Sequence, residues 1–327
     1  MKLGTLKEGG RDGTLVLVSR DLSQAVRVSD IAPTLQAALD RWTHTAPQLA
    51  ERYDQLLAGE ITDAFDLDPA QLAAPLPRAY QCLDGSAYLP HVRRVRKARG
   101  ADLPESFLTD PLMYQAVSDG FLAPTDPITL QSLDHGADFE AEIAVITSDI
   151  PMGADARTCG HHIELITLMN DVSLRLLIPN ELGKGFGFLQ SKPRSALAPV
   201  AVTPDELDDA WIDDKLHGRL ITTLNGQRFG EPDAGQDMQF SFAELLAHAA
   251  KTRPLSAGTV MGSGTIANED PNVGASCLVE KRVLEQVEQG KASTPFLTTG
   301  DRVKIEMTGK DGQSIFGAID QMVQVNE

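Results

Sequence analysis

Apolar positions recur along the first quarter of the chain in two rhythms. Leu15–Val18 and Ala25–Val28 are short aliphatic, β-branched runs, and each predicts a strand. Beyond Pro33 the spacing lengthens: Leu35, Leu39, Trp42, Leu49, Tyr53 and Leu56 recur at roughly helical intervals. Pro33 suits a first-turn position, and Pro47 predicts a kink or a break between two segments. A stripe of this kind packs into a core. Leu72–Arg78, which holds Pro75 and Pro77, predicts a connector, so residues 1–75 are expected to form a small N-terminal domain and residues 76–327 a larger one. From about residue 79 onward, short β-branched strands mix with Gly, Pro and Asp turns. A capping-box pattern at Ser241–Glu244 opens one helix into Leu245 and Leu246. Asp301–Met307 and Ile315–Val325 predict strands around the turn residues Gly309–Gly312. The pattern is that of a β-rich α+β fold.

Composition narrows the partners. With 327 residues, 42% of them hydrophobic, the chain is long enough to bury a full core. No run approaches the ~20 apolar residues of a membrane span. Cys82, Cys159 and Cys277 are far apart and odd in number, which suggests neither a disulfide framework nor a zinc knuckle. A reducing cytoplasmic location is expected. The net charge of −17 disfavours nucleic acid and anionic membranes as partners. An anionic small molecule is still admissible if a divalent cation or local Arg and Lys residues reverse the field inside a site.

The acids themselves form a pattern. Asp138-Phe139-Glu140-Ala141-Glu142-Ile143-Ala144-Val145-Ile146 has strand character, and residues two apart in a strand point the same way, roughly 6.5–7 Å apart. Glu140 and Glu142 therefore share a face. Like charges so placed repel unless a cation lies between them, and a hard divalent ion takes carboxylate oxygens as ligands. A solvated strand face is the alternative reading of such a pair. Asp171 directly follows the apolar run ending in Leu168-Met169-Asn170, at an expected strand end, where sites tend to be built but turns and caps also use acids. Glu140, Glu142 and Asp171 together would suit Mg²⁺, Mn²⁺ or Ca²⁺.

Four segments now stand in order: Asp138–Glu142, Asn170–Arg175, Gly183-Lys184-Gly185-Phe186-Gly187 and Gly262-Ser263-Gly264-Thr265. In this order and spacing the chain resembles the fumarylacetoacetate hydrolase family over roughly residues 79–327. Residues 1–75 resemble the small N-terminal domain of its longer, fumarylacetoacetase-like members. The resemblance implies a mixed β-sandwich and β-roll catalytic domain, a homodimer, and metal-assisted hydrolysis of a carbon–carbon bond in a small anionic 1,3-diketo acid. Decarboxylation, isomerisation and hydration of ring-cleavage products are other reactions of the same family, and a non-catalytic metal-binding homologue is a further possibility.

Roles carry over residue by residue. Glu140, Glu142 and Asp171 match the family's ligands of a divalent cation, Mg²⁺ foremost, with Ca²⁺ or Mn²⁺ as alternatives. Asp84, seven residues before His91, matches an additional ligand; a turn role in Leu83-Asp84-Gly85 is the alternative. His91 matches the general base, work that suits histidine as a residue type because its unperturbed pKa is near neutrality. Shorter members pair it with a glutamate three residues on, where this chain has Arg94. Longer members supply a glutamate from a strand beyond the SGT turn, near Glu280, and Glu105 is a fallback. Arg175 and Lys184 match cations that stabilise an oxyanion. Tyr88, Tyr114 and Thr265 are candidate substrate contacts. Arg99 closes a basic run that starts at Arg93, which reads either as a solvated helix face paired with neighbouring acids or as a lid that draws in an anionic substrate. Ile178 stands where the fumarylacetoacetase pattern has a glutamine, which implies a different substrate contact. Lys184–Leu189 also approaches an RNA-recognition strand motif, but the acidic charge and the lack of a second aromatic motif argue against it.

Overall fold

The computed structural model describes residues 1–98 and 103–326. Its centre is a large mixed sheet. Reading across it, the strands run Phe65–Asp66, Gln24–Arg27, Thr14–Val18, Lys2–Leu6, Val200–Val202, Ile163–Asn170, Ala141–Thr147, Thr259–Gly262, Gln81–Gly85 and Met113–Ala116. The N-terminal strands therefore extend the central sheet: Lys2 pairs with Val202 and Gly4 with Val200. The β-rich α+β class expected from the pattern is what the chain adopts.

The two middle strands read as near-continuous apolar runs because both of their faces are covered. Ile143, Val145, Ile166 and Leu168 belong to one core cluster, in which Val303, Ile305, Phe316 and Ile319 of a five-stranded second sheet also lie. The alternate residues Ala144, Ile146, Leu165 and Met169 belong to another, shared with the N-terminal helices. Those helices are α1 (Leu35–Leu39) and α2 (Trp42–Leu57), and Leu35, Leu39, Trp42, Leu49, Tyr53 and Leu56 are all buried. The expected break at Pro47 is not there. Pro47 lies inside α2, and the chain breaks instead at Asp40–Arg41; Thr34 caps α1, so Pro33 stands one residue before the cap and not in the first turn.

The remaining helices are α3 (Leu89–Ala98), α4 (Ala156–Gly160, closed by His161), α5 (Ile178–Gly183), α6 (Phe242–Ala249) and α7 (Leu278–Gln289). The capping box of α6 forms as the sequence predicts, with Ser241 and Glu244 exchanging side-chain and backbone hydrogen bonds. Arg302–Thr308 and Ser314–Val325 pair antiparallel in the second sheet. Among the described residues no helix is long and apolar enough to cross a membrane.

Candidate metal centre and active site

Five neighbouring strands deliver one row of side chains to the same end of the central sheet. Asn170 pairs with Ala141 and Met169 with Glu142, which puts Asp171 just past the strand end beside Glu142. Ala144 pairs with Gly262, Gly262 with Asp84, and Asp84 with Tyr114. Register alone thus brings together acids separated by up to 87 residues in the chain. Oxygen atoms of Asp84, Glu142 and Asp171 lie within 4.8 Å of one another, and all three residues are buried.

Several partners hold the row. The amide of Gly264 donates to Asp84 Oδ1 at 3.0 Å. Tyr114 Oη donates to Asp171 Oδ2 at 2.6 Å, and Ser195 Oγ to Asp171 Oδ1 at 2.9 Å. Both oxygens of Glu142, by contrast, are buried without a hydrogen-bond partner. A buried ionised carboxylate left unpaired is costly, and a bound cation would pair it. The backbone makes room for it. A Cβ on Gly262 would stand 2.4 Å from Asp84 Oδ1 and 3.0 Å from Glu142 Oε2. An all-carboxylate donor set suits a hard divalent ion such as Mg²⁺ or Mn²⁺.

Electrostatics tell the same story. Burial, reinforced by Asp171, pushes the Asp84 carboxyl up to about 8. Burial with Asp84 and Asp171 pushes Glu142 well above the usual carboxylate range. Glu140 goes the other way: burial opposes its ionised form, but Arg175 and Lys192 outweigh burial and hold it well below that range.

Glu140 stands beside the trio. Lys192 Nζ bridges it to Asp171, at 2.5 Å from Asp171 Oδ2. Arg175 donates to Glu140 Oε1 at 2.7 Å and to Asp138 Oδ2 at 2.8 Å. Asp138 in turn accepts the amides of Leu278 and Val279 at 2.6 and 2.9 Å, so it anchors the N-terminus of α7. The first turn of α7 carries Glu280, fully buried, whose Oε2 lies 2.9 Å from His91 Nδ1 on α3. Glu280 is therefore a helical residue, where a strand was expected. Arg94, one turn after His91, donates to Glu280 Oε1 at 2.5 Å and to the carbonyls of Asn268 and Glu269. The position that departs from the shorter members' pattern thus clamps the glutamate that contacts the histidine.

The other expected residues fall as follows. Lys184 caps the C-terminal end of α5 and is exposed; the lysine among the buried carboxylates is Lys192, which sequence reasoning missed. Its signal was weak, a single lysine in Ser191-Lys192-Pro193. Tyr88 is buried and donates to the Ala234 carbonyl, while Thr265 lines the cavity. Glu105 is exposed, and Glu280 is the carboxylate that meets His91. Arg99 lies outside the described residues. Gly183–Gly187 forms a helix end and loop, not a recognition strand. Cys277 sits near His91 and Glu280, but burial pushes its thiol well above the usual value, which argues against a thiolate nucleophile.

One cavity of about 460 Å³ is lined by Asp84, His91, Glu140, Arg175, Lys192 and Thr265 together with apolar side chains. Residues 82–324 match the model of the fumarylacetoacetate hydrolase C-terminal domain, and residues 1–78 match fumarylacetoacetase N-terminal domain 2. The chain belongs to the fumarylacetoacetate hydrolase family. Among curated relatives, the oxaloacetate tautomerase YisK of Bacillus subtilis is 24% identical over 81% of this chain and 79% of its own. Among solved structures, the HpcE-designated protein from Mycobacterium smegmatis superposes with a TM-score of 0.71 at 20% identity, both chains being fully covered. Maleylpyruvate hydrolase from Sphingobium sp. SYK-6, solved with manganese(II) and pyruvate, gives 0.66 at 15%, again over both full chains.

Proposed function

We propose that this chain hydrolyses the carbon–carbon bond between the two carbonyl groups of a small 1,3-diketo acid. The observation that carries the reading is His91, held by Glu280, on the wall of a cavity that Asp84 of the carboxylate trio and Glu140 also line. Glu280 engages Nδ1, which fixes the ring and leaves Nε2 as the nitrogen able to take a proton from water. The water oxygen bonds to the carbonyl carbon remote from the substrate carboxylate. Arg175 and Lys192, held in place by Asp138, Glu140 and Asp171, put positive charge where the oxyanion develops. When the carbon–carbon bond breaks, its electron pair leaves with the carbon of the oxo-acid fragment as an enolate, and His91 returns the proton there. A carboxylic acid and a 2-oxo acid result. Asp84, Glu142 and Asp171, with Glu140 adjacent, would hold a divalent cation, which supplies Lewis acidity to the substrate's oxygens when bound.

Similarity to an oxaloacetate tautomerase across most of the chain favours a second reading. In it, His91 moves a proton between carbon and oxygen of an oxo acid and no water is added. The test is a panel of acylpyruvates and fumarylacetoacetate followed by loss of enol absorbance, with Mg²⁺ or with chelator, and by product analysis. Chelator-sensitive loss with two carbon fragments, abolished by His91→Asn, is expected. Enol–keto interconversion without fragments would replace hydrolysis by tautomerisation.

A further inference from the structure

The cavity is lined by both polar and apolar side chains. Beside the acids and cations already described stand Val92 and Val95, which are three residues apart on α3 and so share a face near His91, and Leu112, Ile178, Leu182 and Phe188. The apolar part adjoins the carboxylates directly. The Phe188 ring meets the Tyr114 ring edge-on at 5.0 Å, and Tyr114 is the residue that donates to Asp171. Arg175 and Lys192 are each already engaged by two carboxylates. Arg96 also lines the cavity, with its guanidinium over the Phe107 ring at 5.3 Å.

We propose that the acyl arm of the substrate, the part beyond the carbonyl that water attacks, is uncharged and apolar. This rests on the reading above and names its substrate class: 2,4-diketo acids with one carboxylate and an alkyl or aryl tail, rather than dicarboxylates such as fumarylacetoacetate or maleylpyruvate. Aliphatic and aromatic walls repay each buried methylene, whereas a second carboxylate placed against Val92, Val95, Ile178 and Phe188 loses its water to side chains that cannot pair with it. The 460 Å³ cavity leaves room for a tail of several carbons. Ile178 and Phe188 are then specificity-determining residues.

The experiment compares kcat/KM for 2,4-diketo acids bearing methyl, butyl and phenyl tails with that for a dicarboxylate of matched length. Each methylene is expected to raise kcat/KM roughly fourfold until the cavity is filled. The dicarboxylate should fall at least about tenfold below its apolar match. Phe188→Ala should shrink the phenyl-to-methyl ratio, and Ile178→Lys should shift preference toward the dicarboxylate. A purely structural role would lower all substrates alike and leave those ratios fixed. A dicarboxylate turned over as well as its match, or better, would overturn the proposal and point to Arg96 as the holder of a second carboxylate.

If no diketo acid is cleaved, the hydrolase reading fails but this one is still decided by binding. Calorimetric titration of the Mg²⁺-loaded protein with 2-oxobutanoate, 2-oxo-4-phenylbutanoate and 2-oxoadipate reads the same wall without turnover. Tightest binding of the phenyl compound supports an apolar arm; tightest binding of 2-oxoadipate refutes it.

Discussion

Replacing Glu142 by glutamine tests the metal centre where its physics is sharpest. The side chain is fully buried, neither oxygen has a hydrogen-bond partner, and two more carboxylates lie within 4.8 Å. At that separation, and with an effective dielectric of about 20, each pair of ionised carboxylates repels by on the order of 3 kcal/mol. The metal-free protein escapes part of this by keeping protons on the cluster. The sign of the pH dependence follows. In the unfolded chain these carboxyls ionise near pH 4, whereas Asp84 in the fold keeps its proton up to about pH 8 and Glu142 is likewise shifted upward. Between those values the folded state binds more protons than the unfolded one. Stability of the metal-free protein therefore falls as pH rises from about 4 to 8. Glu142→Gln removes one of the repelling charges, so the metal-free variant should lose less stability over that window and be at least as stable as the wild type at pH 8. Saturating Mg²⁺, at a hundredfold over Kd, should stabilise the wild type by about 2.7 kcal/mol, or about 4 °C in Tm for a chain of this length. The variant should gain less than about 1 °C. Scanning calorimetry at pH 5 and pH 8, with Mg²⁺ or with chelator, reads every one of these shifts. A metal-free variant that melts well below the wild type at pH 8 yet keeps the full Mg²⁺ response would refute the reasoning.

Three further substitutions separate the parts of the site. Lys192→Met should lower kcat by about 10²–10³ through loss of the buried cation, while Lys184→Met, at an exposed helix end, should change it by less than twofold; steady-state kinetics of the pair decides between the two lysines. Arg94→Ala leaves the buried Glu280 carboxylate with His91 as its remaining partner and should destabilise the fold by about 3 kcal/mol in denaturant titrations, with Arg94→Lys losing less. Gly262→Ala puts a methyl group against Asp84 and Glu142, so calorimetric Mg²⁺ affinity should fall by at least about tenfold while the far-UV dichroism stays the same.

The sequence carried much of this where chemistry was local. The apolar run within Ala141–Ile146, the buried stripe of α1 and α2 and the capping box of α6 are short-range patterns, and strand, helices and cap form there, although the break between the helices falls at Asp40–Arg41 and not at Pro47. Asp84, Glu142 and Asp171 are separated in the chain, and only the order of the motifs linked them. Asp138 was hidden for the opposite reason. It sits inside the most conspicuous acidic segment, yet its partners are amides 140 residues away at the start of α7. No local signal distinguishes Lys192 from Lys184, because burial beside Glu140 is a property of how strands neighbour one another. Pro47 shows that propensity yields to packing: α2 continues through it because Leu49, Tyr53 and Leu56 are buried beyond it.

The most direct test of the central claim is turnover of an acylpyruvate in heavy-oxygen water with Mg²⁺ present. Attack of water on the acyl carbonyl predicts one heavy oxygen in the carboxylic acid product, equimolar release of the 2-oxo acid, and loss of both on chelation or in His91→Asn. Consumption of the enol with an intact carbon skeleton and no label in a carboxylic acid would contradict it.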